Sequence, residues 1–132
     1  MHEFEVRTER KSQVVDVTEK VRSAIAGAGD ASAALVYVPH TTAGGIIQEH
    51  ADPAVARDVE NALEQIVDES WPWEHIEDHE LNPWSHVRAA LTATSVLIPL
   101  ENGKLALGTW QGVFFCEFDG PRTRKVYVTT LR

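Results

Sequence analysis

The segment His40-Thr41-Thr42-Ala43-Gly44-Gly45 concentrates more potential chemistry than any other stretch of the chain. It follows the apolar run Ala33-Ala34-Leu35-Val36-Tyr37-Val38-Pro39, which reads as a buried strand. An imidazole at a strand tip can bind a metal or move a proton near neutral pH. The two threonine hydroxyls both donate and accept hydrogen bonds. Gly44 and Gly45 would admit a ligand close to the backbone. A polar turn after a strand has the same composition, and the segment by itself does not separate the two readings.

Other residues add to this set. The six histidines are His2, His40, His50, His75, His79 and His86. Three of them, drawn from separate segments, could converge on one cation and leave a position open for water or substrate, as catalytic zinc sites do. Surface histidines with no role fit the same spacing. His75 and His79 would form a metal pair on a helix, but the stretch around them lacks helix signals. Glu49 is either a general acid or base or a solvated loop carboxylate. Glu117 lies in the very apolar run Val113–Phe118, where a lone carboxylate must face solvent or be paired. Arg122 or Arg124, across a turn, would pair with it. That gives a structural salt bridge or an anion clamp of arginines oriented by a carboxylate. Gly108-Thr109-Trp110-Gln111-Gly112 predicts a bend or bulge that re-aims side chains. Gln111 could read the edge of a heterocycle, and Trp110 could stack on one or belong to the core.

The elements that must position these residues follow from periodicity. Residues 2–8 and 12–17 read as strands, and Thr18 as the cap of a short helix ended by Gly27 and Gly29. After the strand at 33–39, Ile46 and Ile47 extend a second one. Asp52 is a good N-cap and Pro53 suits the first helical position. Val55, Val59, Ala62, Leu63 and Ile66 then recur at helical spacing through about Asp68. Asp58 falls at the edge of that stripe, as a flank residue or aimed at a polar site. Residues 70–84 hold Trp71, Trp73 and Trp84 and read as a long ordered loop, followed by a short helix from Ser85 to about Leu91. The remainder is β: Ser95–Leu100 and Leu105–Leu107 joined by an Asn-Gly turn, then Trp110–Phe118 and Lys125–Leu131. The order, roughly β-β-α-β-β-α-β-β-β, is an α+β pattern.

Bulk composition narrows the class. The 132 residues make one domain able to bury a core. Twelve Lys and Arg against 20 Asp and Glu give a net charge of -8, which argues against nucleic acid and anionic membranes as partners. No apolar run reaches the roughly 20 residues of a membrane span. The N-terminal residues lack the apolar core of a signal peptide, so cytoplasm is the expected location. The single cysteine, Cys116, excludes an intrachain disulfide and reads as a buried, inert thiol.

Taken in order, His40-Thr41-Thr42-Ala43, Gln48-Glu49, Asp52-Pro53, Asp58, Glu74-His75, Asn82, Ser85-His86, Gly108-Thr109-Trp110-Gln111-Gly112, Glu117 and the Arg122/Arg124 pair resemble the YjbQ-like family, also called the secondary thiamine-phosphate synthase family. The match runs from about His40 to Val128. Gln48 stands where the family usually has asparagine, Ala93 where a glycine is common, and His79 is outside the pattern. The resemblance implies one α+β domain built on a β-sandwich with two or three helices, assembling as a homotrimer with sites near subunit contacts. It implies a divalent metal ion, zinc or magnesium, held by His40, His75 and His86. It also implies weak condensation of hydroxymethylpyrimidine diphosphate with thiazole phosphate, releasing pyrophosphate. In that scheme Glu49, Asp58 and His86 are the catalytic residues. Thr41, Thr42, Asn82, Gln111, Arg122 and Arg124 contact a phosphorylated small molecule. A metal-assisted hydrolase of another phosphorylated compound, or a trimeric ligand-binding protein without turnover, would use the same residues.

Overall fold

The computed structural model describes residues 1–76 and 81–132. The elements are β1 (His2–Arg7), β2 (Gln13–Asp16), α1 (Thr18–Ala24), β3 (Ala33–Tyr37), β4 (Ala43–Glu49), α2 (Pro53–Ile66), α3 (Pro83–Ala90), β5 (Ser95–Glu101), β6 (Lys104–Leu105), β7 (Gln111–Glu117) and β8 (Thr123–Leu131). They form a five-stranded sheet, β1-β8-β3-β5-β6, and a three-stranded sheet, β2-β7-β4. All strand pairs are antiparallel. The expected α+β class with a two-sheet core is therefore what the chain adopts. β5 to β8 are the four strands read in the last third, with β6 the short second arm of the Asn-Gly hairpin.

The two sheets face each other across one core. Val6, Val36, Ile98, Val126 and Val128 of the large sheet meet Ala43, Val113 and Phe115 of the small one. β7 is buried on both faces, because its alternate residues Phe114 and Cys116 join Val14 and Phe118 under Val59 and Leu63 of α2 and Ala89 of α3. A strand covered on both sides reads as a continuous apolar run, as Val113–Phe118 does. Cys116 is fully buried, and burial pushes its thiol up to about 12. That is the inert thiol expected from its neighbours.

Local signals set most element boundaries. Asp52 caps α2 by accepting the Ala54 N–H at 2.9 Å, with Pro53 in the first turn. Asn102 and Gly103 both adopt positive φ, 53° and 76°, which is the backbone a two-residue hairpin requires between β5 and β6. Thr18 differs from expectation. It opens α1 without capping it, because Asp16 Oδ1 accepts both its N–H at 2.9 Å and its hydroxyl at 2.6 Å. The Thr18 oxygen accepts the Val113 N–H instead, which ties α1 to the start of β7. Among the described residues no helix is long and apolar enough to cross a membrane.

Candidate functional site

His40, Thr41 and Thr42 lie on the crossing from β3 in the large sheet to β4 in the small one. At this end of the sandwich opens a cleft of about 1190 Å³. It is lined by His40, Thr41 and Thr42, by Arg122 before β8 and Arg124 within it, and by His75, Asn82 and His86. Residues spread over 85 positions of sequence thus share one concave surface, which is the usual form of a ligand site.

Beneath the lining residue Arg124 an ion pair joins the two sheets. Glu117, at the end of β7, is fully buried. Arg124 of β8 donates from Nε to its Oε1 at 2.8 Å and from Nη2 to its Oε2. The carboxylate also accepts the Thr8 hydroxyl at 2.9 Å and the Asp119 N–H at 3.0 Å. Arg124 Nη2 donates further to Thr42 Oγ1 at 2.7 Å. Of the two partners expected for Glu117, Arg124 is the one it takes. Arg122 turns to Asp119, donating from Nε to its carbonyl at 2.7 Å and from Nη2 to Oδ2 at 2.6 Å. The pairing of Arg124 uses Nε and Nη2 and leaves Nη1 outside it, with Arg124 on the cleft wall.

The three histidines have different environments. His75, exposed in the loop after α2, stands edge-on to His86 of α3, with ring centroids 5.2 Å apart. His40 accepts the Lys125 N–H at Nε2, 3.0 Å away. Burial, reinforced by the Arg124 guanidinium, lowers the His40 pKa from its ordinary value and favours the neutral ring. Among the described residues no three His, Cys, Asp or Glu side chains converge as a cation site. The three-histidine metal set implied by the resemblance does not fit this geometry, because the Nε2 lone pair of His40 is already taken by a backbone N–H. His79 lies outside the described residues.

Three of the residues singled out from sequence are not brought to the cleft. Glu49 accepts the Asp52 N–H at 3.0 Å and stabilises the turn into α2. Asp58 is exposed on α2, the flank position its spacing allowed. Gln111 closes its own loop, its Oε1 accepting the Gly108 N–H at 2.8 Å. Trp110 is exposed on that loop and not part of the core. In each case a nearby backbone group or solvent satisfied the polar side chain, as short-range geometry favours.

Asp119, in the turn after β7, is a cleft residue that no motif marks. It lines the cleft and accepts from Asn82 Nδ2 at 2.9 Å as well as from Arg122. Asn82 precedes α3 but does not cap it through its side chain, which is committed to Asp119. The available signal was the Glu117/Asp119 alternation facing Arg122/Arg124 across a tight turn. Glu60 is a second buried carboxylate outside the motifs. It is buried on α2, accepting from Arg10 at 3.1 and 3.2 Å and from the Val14 N–H at 2.7 Å. That network docks α2 on β2 and does not touch the cleft.

Fold and cleft together define a two-sheet α+β domain with a polar site of histidine, threonine and arginine where the chain passes between the sheets. The chain belongs to the UPF0047 YjbQ-like family, whose model matches residues 2–132. It is 42% identical over 128 residues to the UPF0047 protein YugU of Bacillus subtilis, covering 95% of this chain and 94% of that protein. It is 40% identical over 129 residues to the UPF0047 protein MJ1081 of Methanocaldococcus jannaschii, covering 97% and 91%. The crystal structure of a YjbQ/UPF0047 family protein from Clostridium acetobutylicum superimposes with a TM-score of 0.92 at 41% identity, covering 99% of this chain and 100% of that one.

Proposed function

We propose that the cleft binds a phosphorylated small molecule and that the protein is a transferase of the thiamine-phosphate synthase type. The observation that carries this reading is that His40, Thr41, Arg122, Arg124, His75 and His86 all line one cleft. Guanidinium, imidazole and hydroxyl donors together suit phosphate oxygens. The volume exceeds the roughly 300–1000 Å³ that holds one drug-sized ligand, so two small substrates fit side by side. Departure of a diphosphate places negative charge on oxygens that these donors would stabilise. Asp119 is committed to Arg122 and Asn82, so proton transfer in the cleft would fall to an imidazole, and this reading assigns it to His86, which lines the cleft.

The test is pyrophosphate release from hydroxymethylpyrimidine diphosphate, with and without thiazole phosphate. Release that needs both precursors and falls at least about 100-fold in His86→Ala is expected, since one general acid or base contributes roughly 10²–10⁴. Release that ignores the thiazole would make the protein a hydrolase. Binding of both precursors without release would make it a ligand-binding protein.

The same reading includes a homotrimer. The outer face of the large sheet carries Tyr37, Leu97 and Leu131, and Leu97 is 60% exposed. Burying such a patch against other copies would remove apolar surface from water. Light scattering that gives three times the 14.7 kDa chain mass is the expected result, and a monomer would exclude it.

A further inference from the structure

His40 is the cleft histidine that the backbone pins. The Lys125 N–H, on β8, donates to its Nε2 at 3.0 Å. A neutral imidazole has one N–H donor and one lone-pair acceptor. With Nε2 accepting, the proton resides on Nδ1. Nδ1 has no partner among the described residues, and it is not among the buried polar atoms that lack one. His40 lines the cleft together with Thr41 and Arg124, and its unpartnered Nδ1 is not buried.

We infer that His40 serves the cleft as a fixed Nδ1–H donor to a ligand oxyanion, and not as a metal ligand. A metal takes a bare ring nitrogen. Here one nitrogen is occupied by a backbone donor and the other carries the proton. Exchanging the two roles would leave the Lys125 N–H without its acceptor. The donor points to an anion because its neighbours Arg124 and Thr41 are donors too. The inference rests on the phosphate reading above and gives His40 a definite place within it.

The test reads the ring nitrogens directly. Long-range ¹H–¹⁵N correlation on uniformly ¹⁵N-labelled protein should find Nδ1 protonated and Nε2 bare at His40. Titrated inorganic phosphate should move the Nδ1 resonance, and added Zn²⁺ should leave it in place. Two variants separate the nitrogens. His40→Asn keeps an amide donor near the position of Nδ1 and should hold the phosphate Kd within about threefold. His40→Gln puts its amide near Nε2 and should weaken phosphate about tenfold or more, the loss of one charge-assisted hydrogen bond. A protonated Nε2, a Zn²⁺ shift at His40, or equal loss in both variants overturns the His40 assignment while leaving the phosphate reading intact. Phosphate that binds nowhere in the wild-type cleft overturns both.

Discussion

Replacing Glu117 with alanine is expected to destabilise the fold by about 3–5 kcal/mol, the range for removing one partner of a buried ion pair. Domains of this size have about 5–15 kcal/mol in total, so the variant should be near the limit of folding. The size of the effect comes from what stays behind. Arg124 is almost fully buried and would keep its charge in the interior with no carboxylate beside it. The Thr8 hydroxyl and the Asp119 N–H would lose their shared acceptor as well. A surface ion pair such as Arg132–Asp30, where both side chains are exposed, should cost less than about 1 kcal/mol to break. The measurement is urea denaturation of Glu117→Ala, Arg124→Met and the double variant. The double variant should recover part of the loss, because it removes the uncompensated charge. A loss below about 1 kcal/mol in Glu117→Ala would mean that water reaches the pair.

Gly120→Ala should cost about 3 kcal/mol, at the upper end of what overpacking does. A methyl built on Gly120 would lie 2.2 Å from the Arg10 carbonyl oxygen, and 2.9 Å from both Glu117 Cγ and Thr8 Oγ1. The first of these is backbone, and the next carbonyl along, that of Lys11, already accepts the Gly120 N–H at 3.1 Å, so the two segments are tied together at this point. Relief therefore requires the turn at 119–121 to move away from the strand connection at 8–12. That turn carries Asp119 and leads to Arg122 and Arg124, so the shift would open the cleft wall as well as loosen the fold. Thermal unfolding and phosphate affinity should fall together in Gly120→Ala. Stability that falls with unchanged affinity would show that the wall does not depend on this turn. By contrast, Gly27 lies in open space, so an added methyl there meets nothing and acts only through its positive φ of 82°.

Much of the site is legible in the sequence. Residues 2–8, 33–39 and 53–66 became the strands and helix their patterns predicted, because periodicity and caps act within a few residues. His40, His75, Asn82, His86, Arg122 and Arg124 were named from motifs and do share a cleft. Glu49, Asp58 and Gln111 were named on the same grounds and do not. Their side chains either bond a backbone N–H within three residues or stand in solvent.

The sequence by itself determined the class of fold, the positions of the helices and turns, and the family. It also required that Glu117 have a partner, since an apolar strand cannot hold a lone carboxylate. Only the tertiary structure decided which partner that is. The choice between Arg122 and Arg124 depends on how β8, in one sheet, lies over β7 in the other. No local pattern encodes the register between two sheets. The same holds for His40. Its type announced a ligand or a proton carrier, but the Lys125 N–H that fixes its tautomer comes from 85 residues away. A hydrogen bond between distant segments forms only where packing brings them together. That contact is what carries the proposal that His40 is an anion donor.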